Sequence, residues 1–433
     1  MHSVDDWPDG ARPKDWREMI LWLYPNGRAA LTAIMSKGRK ERANDYEYNW
    51  WTQSFPEQRG AFTAGEIYTN VALSSAYAGS GTAGQVLYVK TTEAVASEFR
   101  YGHQVLLRDT DDLSVDVQAK CVGVHKNGSS SYVACKLLEA DDNSDSNDLQ
   151  TADVIKVCGN INPQGGVTPP SITYFPTKFY NKTQIFRTSL EIARTVMRTR
   201  SRTGNTYENM KTLALELHGV EMEWAWLFGI VSENVGDNNM PETTTEGIIT
   251  FLRNNLSAHV RNYALLDAYS GQTWLEGGDD FLIDSFELLT RYGDPKGNGD
   301  WISFIGSGFL KNISRLARQS GEFVLNPGAS IGYGIKVNEL VNEFGTWPLY
   351  THPLFNQEAT MRNSALFFKP RNLVYKYIDD TDFYPSAKGK YGYTSSGKRI
   401  DGLNEEWLTE AGMEYHHPQT AMFLYGAGDT NTA

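Results

Sequence analysis

His218 and Glu221 lie three residues apart in a long periodic run. On a helix that spacing puts both on one face, as a metal-ligand pair would need. No second helical His/Glu pair exists to complete a site, so a surface ion pair is the better reading. His416 and His417 stand beside Glu414 in a segment with strand character. Adjacent strand residues point to opposite faces, so the two imidazoles do not readily share one ion. Asp141-Asp142-Asn143-Ser144-Asp145 begins like a calcium loop. Ser146, however, stands where the turn glycine belongs, and Ala152 where the bidentate glutamate belongs. A solvated acidic loop is the simpler reading. Gly306-Ser307-Gly308 precedes a helical pattern, as a phosphate loop would, but lacks the Lys-Ser/Thr that binds phosphate. No catalytic residue, metal ligand or cofactor is expected.

The elements around these residues are mixed. The best helix runs from Tyr207 to Phe228, with Tyr207, Met210, Ala214, Leu217, Val220, Trp224 and Phe228 at three-and-four spacing as its apolar stripe. Shorter helices are predicted at Trp16–Leu23 and Ala29–Ser36, then at Phe281–Tyr292 and Ser307–Gln319. Lys37 to Arg42 is highly charged and reads as a solvated connector. Tyr46 to Trp51 reads as an aromatic strand. Five strand-like runs follow at Val86–Thr91, Val105–Asp109, Val115–Val124, Ser131–Leu138 and Val154–Cys158, with a hairpin turn at Asn127-Gly128-Ser129. Gly/Pro-rich linkers at 78–84 and 159–170 bracket them, the pattern of a β module inserted into another domain. Later strands are predicted at Gly247–Phe251, Thr346–Tyr350, Ala365–Phe368, Leu373–Ile378 and within Trp407–Tyr425, with a loop over Tyr384–Arg399. The class is α+β.

Charge and cysteines narrow the field. The 433 residues carry a formal charge of −12, the wrong sign for a dedicated DNA-binding protein but compatible with one that encloses DNA. No apolar run approaches the ~20 residues of a membrane helix. The polar, acidic start is not a secretory signal. Three cysteines without metal spacing fit a reduced compartment of synthesis, the cytoplasm. The sequon Asn181-Lys182-Thr183 then has no consequence. Cys121 and Cys135 share the alternation of apolar neighbours and read as small core residues. Against the acidic background, the segment 172–202 is strongly basic. Lys178, Lys182, Arg187, Arg194, Arg198, Arg200 and Arg202 face one acid, Glu191, a net of +6. An extended basic arm has little core of its own. Its expected place is across an acidic surface of a neighbouring subunit, with a solvated face and a strip against the genome as the alternatives.

The order of parts resembles the major capsid proteins of tailed bacteriophages, the Hong Kong 97-type fold, and particularly the subset with a β-barrel inserted in the extended loop. Asp15-Trp16-Arg17-Glu18-Met19-Ile20 through Tyr24-Pro25-Asn26-Gly27 resembles the family's N-terminal arm. Asn49-Trp50-Trp51 resembles the strand entering the extended loop, and Asn181-Lys182-Thr183-Gln184-Ile185-Phe186-Arg187 the strand returning from it. Tyr207 to Phe228 is similar to the spine helix and Gly247-Ile248-Ile249-Thr250-Phe251 to the strand after it. Phe344-Gly345-Thr346-Trp347 is similar to an axial-domain turn, and Trp407 to Tyr425, with His417-Pro418-Gln419-Thr420-Ala421, to the closing strand.

The resemblance implies an arm at 1–45, an extended loop at 46–83 and 160–202, and an inserted β-barrel at 84–159. It implies a peripheral domain at 203–232 and 376–433, and an axial domain at 233–375. It also implies a non-enzymatic subunit that self-assembles into hexamers and pentamers of an icosahedral or prolate head around double-stranded DNA. The expected partners are other copies, a portal, a separate scaffolding protein and, in some heads, a decoration protein, with no membrane. No long scaffolding segment is recognisable, and the lysine–asparagine crosslink of part of the family cannot be placed. Two other readings fit the aromatic content of 12%: a carbohydrate-active enzyme or lectin-like protein, and another virion part such as a tail or decoration protein.

Overall fold

The computed structural model describes residues 29–53, 56–112, 114–141, 149–199, 205–291, 301–320, 324–330, 336–385 and 401–431. The helix expected at 16–23, most of the acidic loop at 141–145, nearly all of the loop expected at 384–399, and Arg200 and Arg202 lie outside them. The chain divides into two compact units, Gln53–Thr177 and the remainder, Met1–Thr52 with Lys178–Ala433.

The unit Gln53–Thr177 contains a seven-stranded antiparallel sheet. In spatial order its strands are Arg59–Ala61, Val154–Asn160, His103–Arg108, Asp116–His125, Tyr132–Leu137, Val86–Lys90 and Ile67–Tyr68. The five strands expected from alternation are all present. Period-two patterning sends Leu87, Val89, Val105, Leu107, Val117, Ala119, Val133 and Leu137 into one core. Cys121 and Cys135 stand opposite each other across two strands of that core. Burial pushes both thiols up, Cys121 to about 11, so they behave as small apolar residues. The hairpin between them turns through a short helical turn at Gly128–Ser130, with Gly128 in the left-handed region at φ 52°. The unit is wider than 84–159, because Arg59–Ala61 and Ile67–Tyr68 form the two ends of its sheet.

The other unit is built on two sheets. A four-stranded sheet runs Arg39–Arg42, Leu373–Tyr384, Gly402–Tyr415, Gln184–Ala193. A mixed seven-stranded sheet runs Val260–Asn262, Met422–Tyr425, Ala365–Phe368, Ile302–Ile305, Gly345–Thr351, Lys336–Asn342, Val324–Ser330. The 23-residue helix Thr206–Phe228 packs on the four-stranded sheet, started by Asn205, whose side chain accepts from the Tyr207 N–H. Trp226 locks the two layers together, its ring 5.6 Å from Phe186 and 6.3 Å from Tyr375. Helices Trp274–Thr290 and Ser307–Ser320 bury Phe281, Phe286, Phe309 and Ile313 in a second cluster around Trp347.

Three sequence expectations are corrected. Gly247–Phe251 is not a strand: Gly247 starts a helix, Ile248–Asn255. Its isoleucines suggest β structure, but the turn packs against the C-terminal end of the long helix. A Cβ on Gly247 would fall 2.6 Å from the Leu227 carbonyl carbon, so tertiary fit overrides propensity. The charged connector contains a real strand, Arg39–Arg42, paired parallel with Leu373–Tyr384. It is held by charge rather than core: Lys40 meets Asp380 at 2.8 Å and Lys376 reaches Glu41. Charged side chains on an edge strand also discourage further pairing. The third correction concerns the long helix. Its buried residues are Ala214, His218, Met222, Glu223, Trp226 and Leu227, whereas Leu217 of the expected stripe is 49% exposed.

Candidate functional site

The long helix turns two polar side chains inward, and both are satisfied. Glu223 has no solvent exposure. Its carboxylate accepts from the Leu31 and Thr32 N–H groups, each at 2.7 Å, from the Thr32 hydroxyl at 2.8 Å, and from His352 Nε2 at 2.8 Å. Leu31 and Thr32 open the helix Ala30–Lys37, whose N-cap position is Ala29 and has no side-chain cap of its own. The carboxylate of a distant helix thus fills the place of the missing cap and meets the positive end of the helix dipole. The sequence signal was a glutamate on the packed face of the best helix, paired with a helix start that lacks Ser, Thr, Asp or Asn.

His218 is the second. It is 1% exposed, with Nδ1 2.9 Å from the Thr188 hydroxyl and Nε2 2.8 Å from the Thr409 hydroxyl. Thr409 also pairs with Thr381 at 2.8 Å, and Thr188 donates to Glu221 at 3.3 Å. A neutral imidazole protonated on Nδ1 satisfies this chain from Thr381 through to Glu221. Burial lowers the His218 pKa and favours that neutral form. The expected surface ion pair with Glu221 is therefore corrected. The two residues share a face but are joined through Thr188, in a lattice that clamps helix to sheet. Asn181 does similar work at the start of the returning strand. It is 2% exposed, donates to the carbonyls of Met413 at 2.8 Å and Glu246 at 3.1 Å, and accepts from Glu246 N–H at 2.8 Å.

The remaining chemical candidates take structural roles. His416 lies just past the strand Gly402–Tyr415 and His417 has φ 54°, so the pair sits in a turn rather than a strand. Glu414 binds His416 and, at 3.2 Å, Lys376. Gly306 and Gly308 are required by packing: a Cβ on Gly306 would fall 2.2 Å from the Arg362 carbonyl oxygen. The Ser307 N–H, where a phosphate would bind, donates to Asn356 Oδ1 at 2.7 Å. Among the described residues there is no group of three or more His, Cys, Asp or Glu side chains placed to hold a metal ion.

The basic segment is spread over two strands and a short helix. Lys178 is exposed on Thr177–Lys182. Lys182 is 8% exposed and ion-paired with Glu233 in its own chain, a pairing that raises its pKa. Arg187 makes a bidentate contact with Glu406 at 2.7–2.9 Å, and Arg194 meets Asp401 at 2.6 Å. Arg198 is exposed at the end of Arg194–Arg198. Three of the expected contact residues are thus engaged within the chain.

Exposed apolar side chains mark other surfaces. The two-stranded ribbon of Glu47–Thr52 and Thr177–Lys182 presents Trp51 at 62% and Tyr180 at 49% exposure. The ribbon of Ser232–Val235 and Pro241–Thr244 presents Val235 at 74%, with Met240 at 62% in its turn. No described helix is long and apolar enough to cross a membrane.

Comparison with solved structures finds similarity to phage structures and to an encapsulin. The chain is 9% identical to Microbacterium phage Oxtober96, covering 95% of each chain at a TM-score of 0.41. It is 14% identical to Gordonia phage Cozz, covering 62% of this chain and 76% of that one at a TM-score of 0.37. It is 9% identical to the holo-SrpI encapsulin complex from Synechococcus elongatus, covering 58% and 76% at a TM-score of 0.38. No curated protein matches the chain. The family model of the SU10 major capsid protein matches residues 6–428, nearly the whole length. The Hong Kong 97-type α+β class and the structural role in a phage head follow from that match. The chain belongs to the SU10 major capsid protein family.

Proposed function

We propose that copies of this subunit form hexamers and pentamers that close into an icosahedral or prolate head around double-stranded DNA. The observation that carries this reading is the exposure of Trp51, Tyr180, Val235 and Met240 on two narrow ribbons. Aromatic and apolar side chains of this kind are favoured anchors in protein interfaces. A subunit with several neighbours buries well over the ~1,600 Å² of a standard interface. The unit Gln53–Thr177 is the inserted β-barrel in this reading, displayed on the outer surface. The subunit is made in the host cytoplasm, encloses DNA without reading its sequence, and meets a portal, a separate scaffolding protein and, in some heads, a decoration protein. It has no catalytic centre, cofactor or metal.

The basic segment contributes to contacts between subunits in this scheme. Arg187 and Arg194 hold the returning strand to its own sheet through Glu406 and Asp401. Lys178 and Arg198, with Arg200 and Arg202, supply the charge that faces a neighbour's acidic surface. Sedimentation and negative-stain microscopy of the purified protein test the scheme. Closed shells, capsomers or tubes that grow with concentration support it. A persistent monomer, or one that hydrolyses a glycan, overturns it.

A further inference from the structure

His103 opens the strand His103–Arg108, is only 3% exposed, and has a ring nitrogen, Nδ1, without a partner. Arg100 Nε donates to His103 Nε2 at 3.0 Å. An accepting Nε2 leaves the proton of the neutral ring on Nδ1, so the orphan is a buried N–H donor. Burial, with the charge of Arg100 beside it, lowers the His103 pKa and keeps the ring in that neutral form. Orphaned buried donors are rare in folded chains, because nothing replaces the water they lose. The ring lines a cavity of about 690 Å³ within the unit Gln53–Thr177. Arg100 lines it too. Its guanidinium gives one N–H to His103 and another to the Pro170 carbonyl at 3.2 Å, and it forms no ion pair with any carboxylate of the described residues. No Asp or Glu lines the cavity, although the chain as a whole is acidic.

We propose that this cavity binds an organic carboxylate, whose oxygens accept from His103 Nδ1 and from the remaining N–H groups of Arg100. A neutral donor beside a planar guanidinium suits a group with two acceptor oxygens. Ile172 and Tyr174 supply an apolar wall for the body of such a ligand. The volume falls in the range of roughly 300–1,000 Å³ common to sites for small organic molecules. A free small acid and an acid carried by another protein present the same group. The site lies within one unit of one subunit and is independent of how shells form.

Cys158 lines the same cavity and is exposed, whereas Cys121 and Cys135 are buried, so its reactivity reports occupancy in the full-length protein. Cys158→Ser identifies its phase in the reaction of the reduced protein with a neutral dipyridyl disulfide. That phase is then timed with benzoate, with neutral benzamide, and with acetyl-glycyl-phenylalanine as its free acid or its amide, all at one ionic strength. An acid is expected to halve the rate at roughly 1–10 mM, the range open to so small a ligand, while the two amides leave it unchanged. Protection by benzoate assigns the site to a free acid. Protection by the dipeptide acid alone assigns it to an acid borne by a protein. Arg100→Gln should weaken the protecting acid about tenfold or more, the worth of one charge-assisted hydrogen bond. If neither acid protects, or the amides protect equally well, the proposal is overturned in the parent protein, whatever the variant does. Undiminished protection in a folded Arg100→Gln would overturn it as well.

Discussion

Glu223 caps the helix Ala30–Lys37 from across the fold, so its loss leaves Leu31 N–H, Thr32 N–H and His352 without their acceptor. Each buried orphan costs about 1–3 kcal/mol. Glu223→Ala should therefore destabilise the unassembled subunit by about 3 kcal/mol or more, with Glu223→Gln, which keeps one acceptor, milder. Calorimetry of both variants checks this, and a loss under about 1 kcal/mol would contradict it. His218 gives a second prediction through pH. An unfolded histidine takes up a proton near 6.5, whereas burial keeps the folded ring neutral to lower pH. Protons therefore favour the unfolded chain as pH falls. The group's contribution is full above about 6.5 and is lost on descent toward the ring's own lower value. His218→Asn should flatten the stability profile below pH 6.5 by up to ~1.4 kcal/mol per pH unit, one proton's worth. Equal slopes for the two proteins would show that His218 titrates like an exposed group.

At the scale of elements, the sheet of the β unit sets a limit on what folds alone. Phe62, Ile67 and Tyr77 belong to the same core as Val105 and Leu107 but lie before residue 84. A fragment 53–177 should be soluble with dispersed amide signals, while 84–159, which lacks two strands, should unfold at markedly lower temperature. A fragment 84–159 as stable as 53–177 would mean that the outer strands add nothing. The basic segment makes a separate claim at this scale. Lys178→Gln, Arg198→Gln and Arg202→Gln together should raise the concentration needed for shell formation and make assembly less sensitive to salt than the parent's, leaving the subunit folded. Normal assembly with poor DNA packaging would place the segment against the genome instead. These elements differ in how plainly the sequence announces them. Alternation exposed the five inner strands of the β unit, because each turns one face to a core. The long helix was equally plain, but its facing was not. Its best periodic stripe includes Leu217 and Trp224, whereas the packed face includes His218 and Glu223. Hydrophobicity cannot show that Thr188, Thr409, Leu31 and His352 will satisfy those two polar groups. Arg39–Arg42 was hidden for the same reason, since its partners are ions far away in sequence.

At the scale of the whole molecule, each of the two units has its own packed core, the described ribbons carry apolar tips, and the buried Glu223, His218 and Asn181 are held by internal hydrogen bonds. That division suits a building block, in which chemistry is spent on rigidity and exposed surface on neighbours. The ribbons provide the most direct test. Trp51→Asp and Met240→Asp should each leave the isolated subunit folded, with a stability change within about 0.5 kcal/mol, because both side chains are already in water. Combined, they should abolish assembly, since a charge buried unpaired in an interface costs far more than an exposed one. The measurement is the fraction of protein sedimenting as closed particles for the double variant beside the parent, under conditions where the parent assembles. The expected result is a folded, slowly sedimenting species with no shells. Shells at the parent's yield would contradict it.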